Sequence, residues 1–84
     1  MTSLVIDVED IRPVSVSFTD KSLIVELADG RSIATPLAWY PRLANATQEQ
    51  RRSVELGRIG LHWPELDEDL SIAGMLAGHG SVAA

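Results

Sequence analysis

The sequence predicts an α+β fold: a small antiparallel sheet of three to five strands, begun by an N-terminal meander and packed with two or three short C-terminal helices. Three observations lead there. The N-terminal half alternates apolar and polar residues with period two, as half-buried antiparallel strands require. An Asp29-Gly30 pair separates two of the alternating runs, and Asp-Gly is a strong short-range hairpin signal because glycine tolerates positive φ. The C-terminal half loses the alternation and is cut by prolines, glycines and a helix-capping pattern into pieces too short for long helices.

Taken in order, Leu4, Ile6 and Val8 alternate with Val5, Asp7 and Glu9; Val14, Val16 and Phe18 alternate with Ser15, Ser17 and Thr19; Leu23, Val25 and Leu27 alternate with Ile24, Glu26 and Ala28. Pro13 marks a bend or an edge position between the first two strands. Thr19-Asp20-Lys21-Ser22 is a polar turn, and Arg31 to Thr35 completes the Asp-Gly hairpin. Thr35-Pro36 reads as an N-cap followed by proline at the first helical position. Pro41 stops that turn, because it lacks an amide hydrogen and restricts Tyr40, so Pro41 to Ala44 forms a second turn. Thr47-Gln48-Glu49-Gln50 is a capping box that starts a helix through about Val54. Gly57 and Gly60 break regularity, and Arg58 to Trp63 is a short final strand with Trp63 held extended by Pro64. Asp69 or Asp67 is expected to cap a last helix with apolar positions Leu70, Ile72, Met75 and Leu76, ended by Gly78 in the left-handed region. Residues 1–80 are expected to form one domain and residues 81–84 a frayed tail.

The 84 residues suffice for one domain with a compact core, and the chain has no cysteine, so disulfides and thiolate metal sites are excluded. The net charge is −5, and of seven basic residues only Arg51 and Arg52 are adjacent. A direct nucleic-acid binder needs a positive patch to neutralise phosphates, so that class is disfavoured, as is an anionic membrane surface. No apolar run approaches the roughly 20 residues that span a bilayer. MTSLVIDVED has neither a basic start nor an apolar stretch of signal-peptide length, so a cytoplasmic protein is expected.

Three stretches carry a family likeness: the Asp29 to Arg31 hairpin, P-L-A-W-Y-P-R-L-A-N-A-T over Pro36 to Thr47, and G-L-H-W-P-E-L-D-E-D-L-S-I-A-G-M-L over Gly60 to Leu76. With these motifs the chain resembles, over nearly its whole length, the small bacterial domain-of-unknown-function family 2442. The resemblance implies an α+β fold with an N-terminal antiparallel sheet and short C-terminal helices, and it implies no catalytic activity. Some relatives carry a helix-turn-helix domain after this one. Relatives often sit beside a second small protein in an arrangement like a toxin–antitoxin pair. Many have an aromatic residue where this chain has Val54, which implies looser packing there.

The densest cluster of reactive groups is Gly60 to Leu70, which holds His62, Trp63, Glu65, Asp67, Glu68 and Asp69. As a metal site it offers an imidazole and carboxylates, with His79 far off in the tail. The spacing is neither H-E-x-x-H nor that of a calcium loop. For catalysis, no Ser–His–Asp arrangement is evident and G-R-I-G lacks the features of a phosphate loop. No catalytic residue, metal ligand or cofactor is therefore assigned. As scaffold, Asp67 and Asp69 would cap a helix while Glu65 and Glu68 stay solvated, Trp39 and Trp63 would be core, and His62 would point outward or bond to nearby backbone. As a docking surface, an acidic rim beside exposed aromatic residues fits hot-spot composition. The candidate interaction residues are Trp39, Tyr40, Arg42, His62, Trp63, Glu65, Asp67 and Asp69.

The function expected from this reading is a non-enzymatic protein-interaction module. The resemblance adds its context, the antitoxin-like or accessory half of a bacterial two-gene system whose partner is another small protein encoded nearby. Strand edges offer a route to a homodimer. Two alternatives are a small-molecule or metal-binding protein using the His62/Asp67/Asp69 segment, and a dimeric regulator that reaches DNA through a partner.

Overall fold

The computed structural model of the chain describes residues 11–78; the strand expected over Leu4 to Val8 and the frayed tail lie outside them. The first meander runs through β1 (Pro13–Phe18), β2 (Ser22–Leu27) and β3 (Ser32–Pro36), paired antiparallel in the order β1-β2-β3. Both turns form where the sequence places them. At the first, the Thr19 amide donates to the Ser22 carbonyl at 2.9 Å, and the Ser22 amide donates to Thr19 Oγ1 at 3.0 Å. At the second, the Gly30 amide donates to the Leu27 carbonyl at 3.0 Å with Gly30 at φ 92°, the positive φ that a β-carbon would resist. Asp29 Oδ1 accepts from the Arg31 amide at 2.9 Å. That bond, with the Arg31 guanidinium on the other carboxylate oxygen, holds the Asp29 carboxyl below its usual range.

Register decides which residues face the core. Val16 lies opposite Val25 and Phe18 opposite Leu23 on one side of β2, with Ile33 and Thr35 opposite the same two residues on the other side. Leu23, Val25 and Leu27 are buried on the central strand. The pairing slips between Pro13 and Ser15, a bulge that leaves Val14 46% exposed.

Between the two meanders the chain makes a 3-10 turn (Leu37–Trp39), α1 (Pro41–Ala44) and α2 (Gln48–Arg52). Thr35 does not cap the first turn. It is still in β3, and Pro36 is the capping position with extended backbone. The capping box forms in full: Thr47 Oγ1 accepts from the Gln50 amide at 3.1 Å, and Gln50 Oε1 accepts from the Thr47 amide at 2.9 Å. The helix ends at Arg52, two residues short of Val54, because the chain turns at Ser53 to begin a strand.

The second meander is β4 (Glu55–Leu56), β5 (Gly60–Trp63) and β6 (Glu68–Ser71), again antiparallel and in chain order. Here the expectation for the last helix is corrected. Glu68 to Ser71 is a strand, and α3 spans only Ile72–Leu76. Asp69 lies within β6, while Asp67 closes the 3-10 turn Pro64–Leu66 in the left-handed region at φ 51°, a conformation that a short polar side chain tolerates. Neither caps the helix. Ser71 does, its Oγ accepting from the Gly74 amide at 2.9 Å. Ser71→Ala is therefore expected to cost about 1 kcal/mol in urea unfolding, with Asp69→Ala costing less because it removes no cap; the reverse ranking would refute this assignment. Gly78 ends the helix at φ 84°, as expected.

One core joins the two meanders. Leu23, Val25 and Leu27 from the first, and Leu61, Trp63 and Leu70 from the second, pack with Leu37, Tyr40, Leu43, Ile72 and Met75.

Candidate functional site

The Gly60 to Leu70 segment builds a strand, a tight turn and a returning strand, and this decides where each reactive side chain goes. With period two along β5, Leu61 and Trp63 point inward while His62 points outward. Across β6, Glu68 and Leu70 point inward while Asp69 points outward. His62 sits directly opposite Asp69 on one neighbouring strand and Glu55 on the other. The outer face of the second sheet therefore carries a row of carboxylate, imidazole and carboxylate. His62 Nδ1 bonds Asp69 Oδ1 at 2.6 Å. A carboxylate can only accept, so Nδ1 carries the hydrogen and Nε2 is left for another partner. Both side chains are well exposed, at 40% and 77%, so the pair stabilises the fold by roughly 0.2–1 kcal/mol at most.

Ser71 Oγ, the hydroxyl nearest in register, accepts from the Gly74 amide. Asp67 does not join His62 and Asp69, and among the described residues no three His, Asp or Glu side chains are grouped to hold a metal ion. The groove over the β4–β5 hairpin, about 580 Å³, is open to solvent and is lined by Glu55, His62, Asp69 and Ser71 together with Leu56 and Ile59.

The other sequence candidates separate. Tyr40 and Trp63 are fully buried, so neither offers surface to a partner. Trp63 meets the Phe18 ring edge-on, with centroids 6.4 Å apart, and its indole N–H donates to the Arg51 carbonyl at 3.0 Å. Trp39 is half-buried, packed against the core. Arg42 is exposed and donates from Nη1 to the Asp67 carbonyl. It thereby ties α1 to the turn before β6, and is a structural contact first. Glu65 and Asp67 are exposed. Glu68, expected to be solvated, is buried.

The Tyr40 hydroxyl has its pKa pushed above the ordinary phenol value, first by burial and also by the negative charge of Glu68, while the hydroxyl of Thr35, 3.1 Å away, acts in the opposite direction. A phenol whose folded value is raised contributes stability that is complete below the unfolded value. That contribution is lost as pH climbs from about 10 through the raised folded value. Alkaline unfolding is thus expected to steepen above about pH 10, and Tyr40→Phe should flatten it; an unchanged profile in that variant would remove Tyr40 as the cause.

Sequence reasoning missed two features. One is apolar exposure around the β4–β5 hairpin: Ile59 is 57% exposed, Leu56 44%, and Leu56 shares a second depression with Pro13 and Val14. An isoleucine between glycines in G-R-I-G was the available signal, since a turn tip offers it nothing to pack against. The other is Arg51. Its Nε and Nη2 donate to the Leu43 and Ala44 carbonyls at 2.9 and 3.1 Å, and its guanidinium lies 5.0 Å over the Phe18 ring. It satisfies the last carbonyls of α1. No pattern in the sequence marks an arginine for that task.

Comparison with known proteins places this geometry among relatives. The model of a family described as "Protein of unknown function (DUF2442)" matches residues 13–81. A protein of unknown function from Rhodospirillum rubrum, known from its crystal structure, is similar at 35% identity and TM-score 0.69, covering 84% of this chain and 90% of its own. An uncharacterized protein from Chromobacterium violaceum, known from its solution NMR structure, is similar at 26% identity and TM-score 0.72, covering 86% of this chain and 70% of its own. No curated protein matches the chain.

Proposed function

Because the chain belongs to the DUF2442 family of proteins of unknown function, a membership that names no activity, we propose that it works as a non-enzymatic protein-interaction module. The observation that carries this reading is the exposed apolar surface around the β4–β5 hairpin. Leu56 and Ile59 project from the β4–β5 hairpin, and Leu56 shares a depression with the exposed Val14 of the β1 bulge. A small domain gains nothing from wetting these side chains, whereas a partner that covers them gains roughly 25 cal/mol for each Å² of apolar surface removed from water. The His62–Asp69 pair and Glu55 border the same hairpin and supply a polar rim of the kind that surrounds protein interfaces. The partner is a second small cytoplasmic protein encoded beside this one, and the module is the antitoxin-like or accessory half of the pair.

The test is co-expression with each neighbouring gene product in turn, followed by size-exclusion chromatography with light scattering. A complex with one of them, weakened about tenfold or more by Ile59→Asp, is expected. Failure of every neighbour to bind, or a complex indifferent to Ile59→Asp, overturns the reading.

A further inference from the structure

The outer face of the second sheet says what chemistry a partner would bring to the β4–β5 hairpin. Cross-strand register sets Glu55, His62 and Asp69 side by side on that face, one from each strand, with neighbouring strands about 4.8 Å apart. The next outward pair toward the hairpin tip is Gly60 opposite Ser71. Gly60 has no side chain, so the face dips there. The groove of about 580 Å³ is lined by this row, by Gly60 and by the exposed Leu56 and Ile59. Ile59 is held on fixed backbone. The Gly57 amide donates to the Gly60 carbonyl at 2.9 Å and closes the tip, and the Ile72 amide donates to the Ile59 carbonyl at 2.9 Å. A partner that covers Ile59 therefore meets a contact already ordered.

The row offers acceptors. Asp69 Oδ1 takes the Nδ1 hydrogen of His62. That leaves Asp69 Oδ2, Nε2 of the neutral imidazole and both carboxylate oxygens of Glu55, all of which accept and none of which donates. Among the described residues no lysine or arginine pairs with Glu55 or Asp69. Arg58 also lines the groove and already has a partner. Neither residues 1–10 nor residues 79–84 contain a lysine or an arginine, so the remainder of the chain holds no such side chain for the row either. A cation rich in N–H donors completes it, and that cation must come from another molecule.

We propose that this groove takes a basic and apolar segment of the partner protein, with a guanidinium or ammonium group across the Glu55–His62–Asp69 row and an apolar side chain against Ile59 and Leu56. The proposal rests on the interaction-module reading and adds to it the partner's chemistry. Opposite charge selects basic over acidic segments, and apolar contact supplies affinity.

The probe is a capped peptide of alternating leucine and arginine, with a leucine–glutamate peptide as its counterpart. Each is titrated into the isotope-labelled full chain and followed by NMR through backbone amides and imidazole nitrogens. Expected are shifts centred on Glu55 to His62 and on Asp69 to Ser71, a shift of His62 Nε2, and binding by the arginine peptide only. Affinity about threefold to tenfold lower is expected in Glu55→Gln. Glu55 is exposed and glutamine keeps its size, so that variant keeps the fold, which its own amide spectrum checks. No binding of the arginine peptide, shifts centred elsewhere, equal binding of the glutamate peptide, or an unchanged affinity in Glu55→Gln each overturns the proposal. Shifts of the same amides with protein concentration alone would also overturn it, since a second copy would then hold the groove. A neighbour-encoded protein whose complex is weakened by Ile59→Asp but unchanged by Glu55→Gln would leave the module reading standing and remove this assignment alone.

Discussion

Trp63→Ala is expected to cost about 3–5 kcal/mol of folding stability, against a total of roughly 5–15 kcal/mol for a domain of this kind. The side chain is fully buried at the join between the two meanders. Its ring is met edge-on by Phe18, an arrangement that adds to area burial, and its N–H is bonded to the Arg51 carbonyl. Truncation opens a cavity and removes the donor for that carbonyl in one step. Trp63→Phe separates the two effects: it keeps much of the ring and loses the bond, so about 1–3 kcal/mol is expected. Urea unfolding followed by far-ultraviolet circular dichroism measures both. Equal losses in the two variants would mean that the volume of the indole contributes nothing.

Gly60→Ala should be damaging although it adds only one methyl group. A β-carbon at Gly60 would fall on the carbonyl oxygen of Leu70 and 3.5 Å from the Ser71 α-carbon, both backbone atoms of the paired strand. No side chain can turn aside to make room, so β5 and β6 must separate at their first pair. Forcing such overlap costs about 1–3 kcal/mol, a fall of roughly 5–20 °C in thermal midpoint for a domain of this size. Gly57, three residues earlier, is the control. Its added β-carbon would lie 3.4 Å from the Gly60 carbonyl oxygen, a contact that a small shift relieves, so Gly57→Ala should melt close to the wild type. A Gly60→Ala protein that melts with it would rule out the close approach.

The first meander was legible because its information is local. Alternation assigns the faces of β1 and β2, and Asp29-Gly30 sets the hairpin, with no reference to anything distant. The same holds for the capping box at Thr47 and for Gly78. The second meander was harder. Glu55-Leu56 is too short to show a period and becomes a strand only because β5 pairs with it. Glu68-Asp69-Leu70-Ser71 resembles a helix start in composition, and strand pairing to Gly60–Trp63 overrides that preference. Within the candidate site, the outward His62 followed from alternation. Its partner did not, because the Asp69 carboxylate reaches it only through cross-strand register. Tyr40 and Trp63 were candidates for both the core and an interface, and burial assigns them to the core. Val54, where the family likeness implied looser packing, is half-buried against that core and lines a groove beside Phe18.

The strand order has a kinetic consequence. Both sheets pair in chain order, β1-β2-β3 and β4-β5-β6, without a crossover. Every ladder therefore closes a short loop, and loop closure is the step whose entropy slows β proteins. Among the described residues the two meanders then meet across a shared core that holds Leu61, Trp63 and Leu70 together with Leu23, Val25 and Leu27. That docking is the closure expected to limit the folding rate.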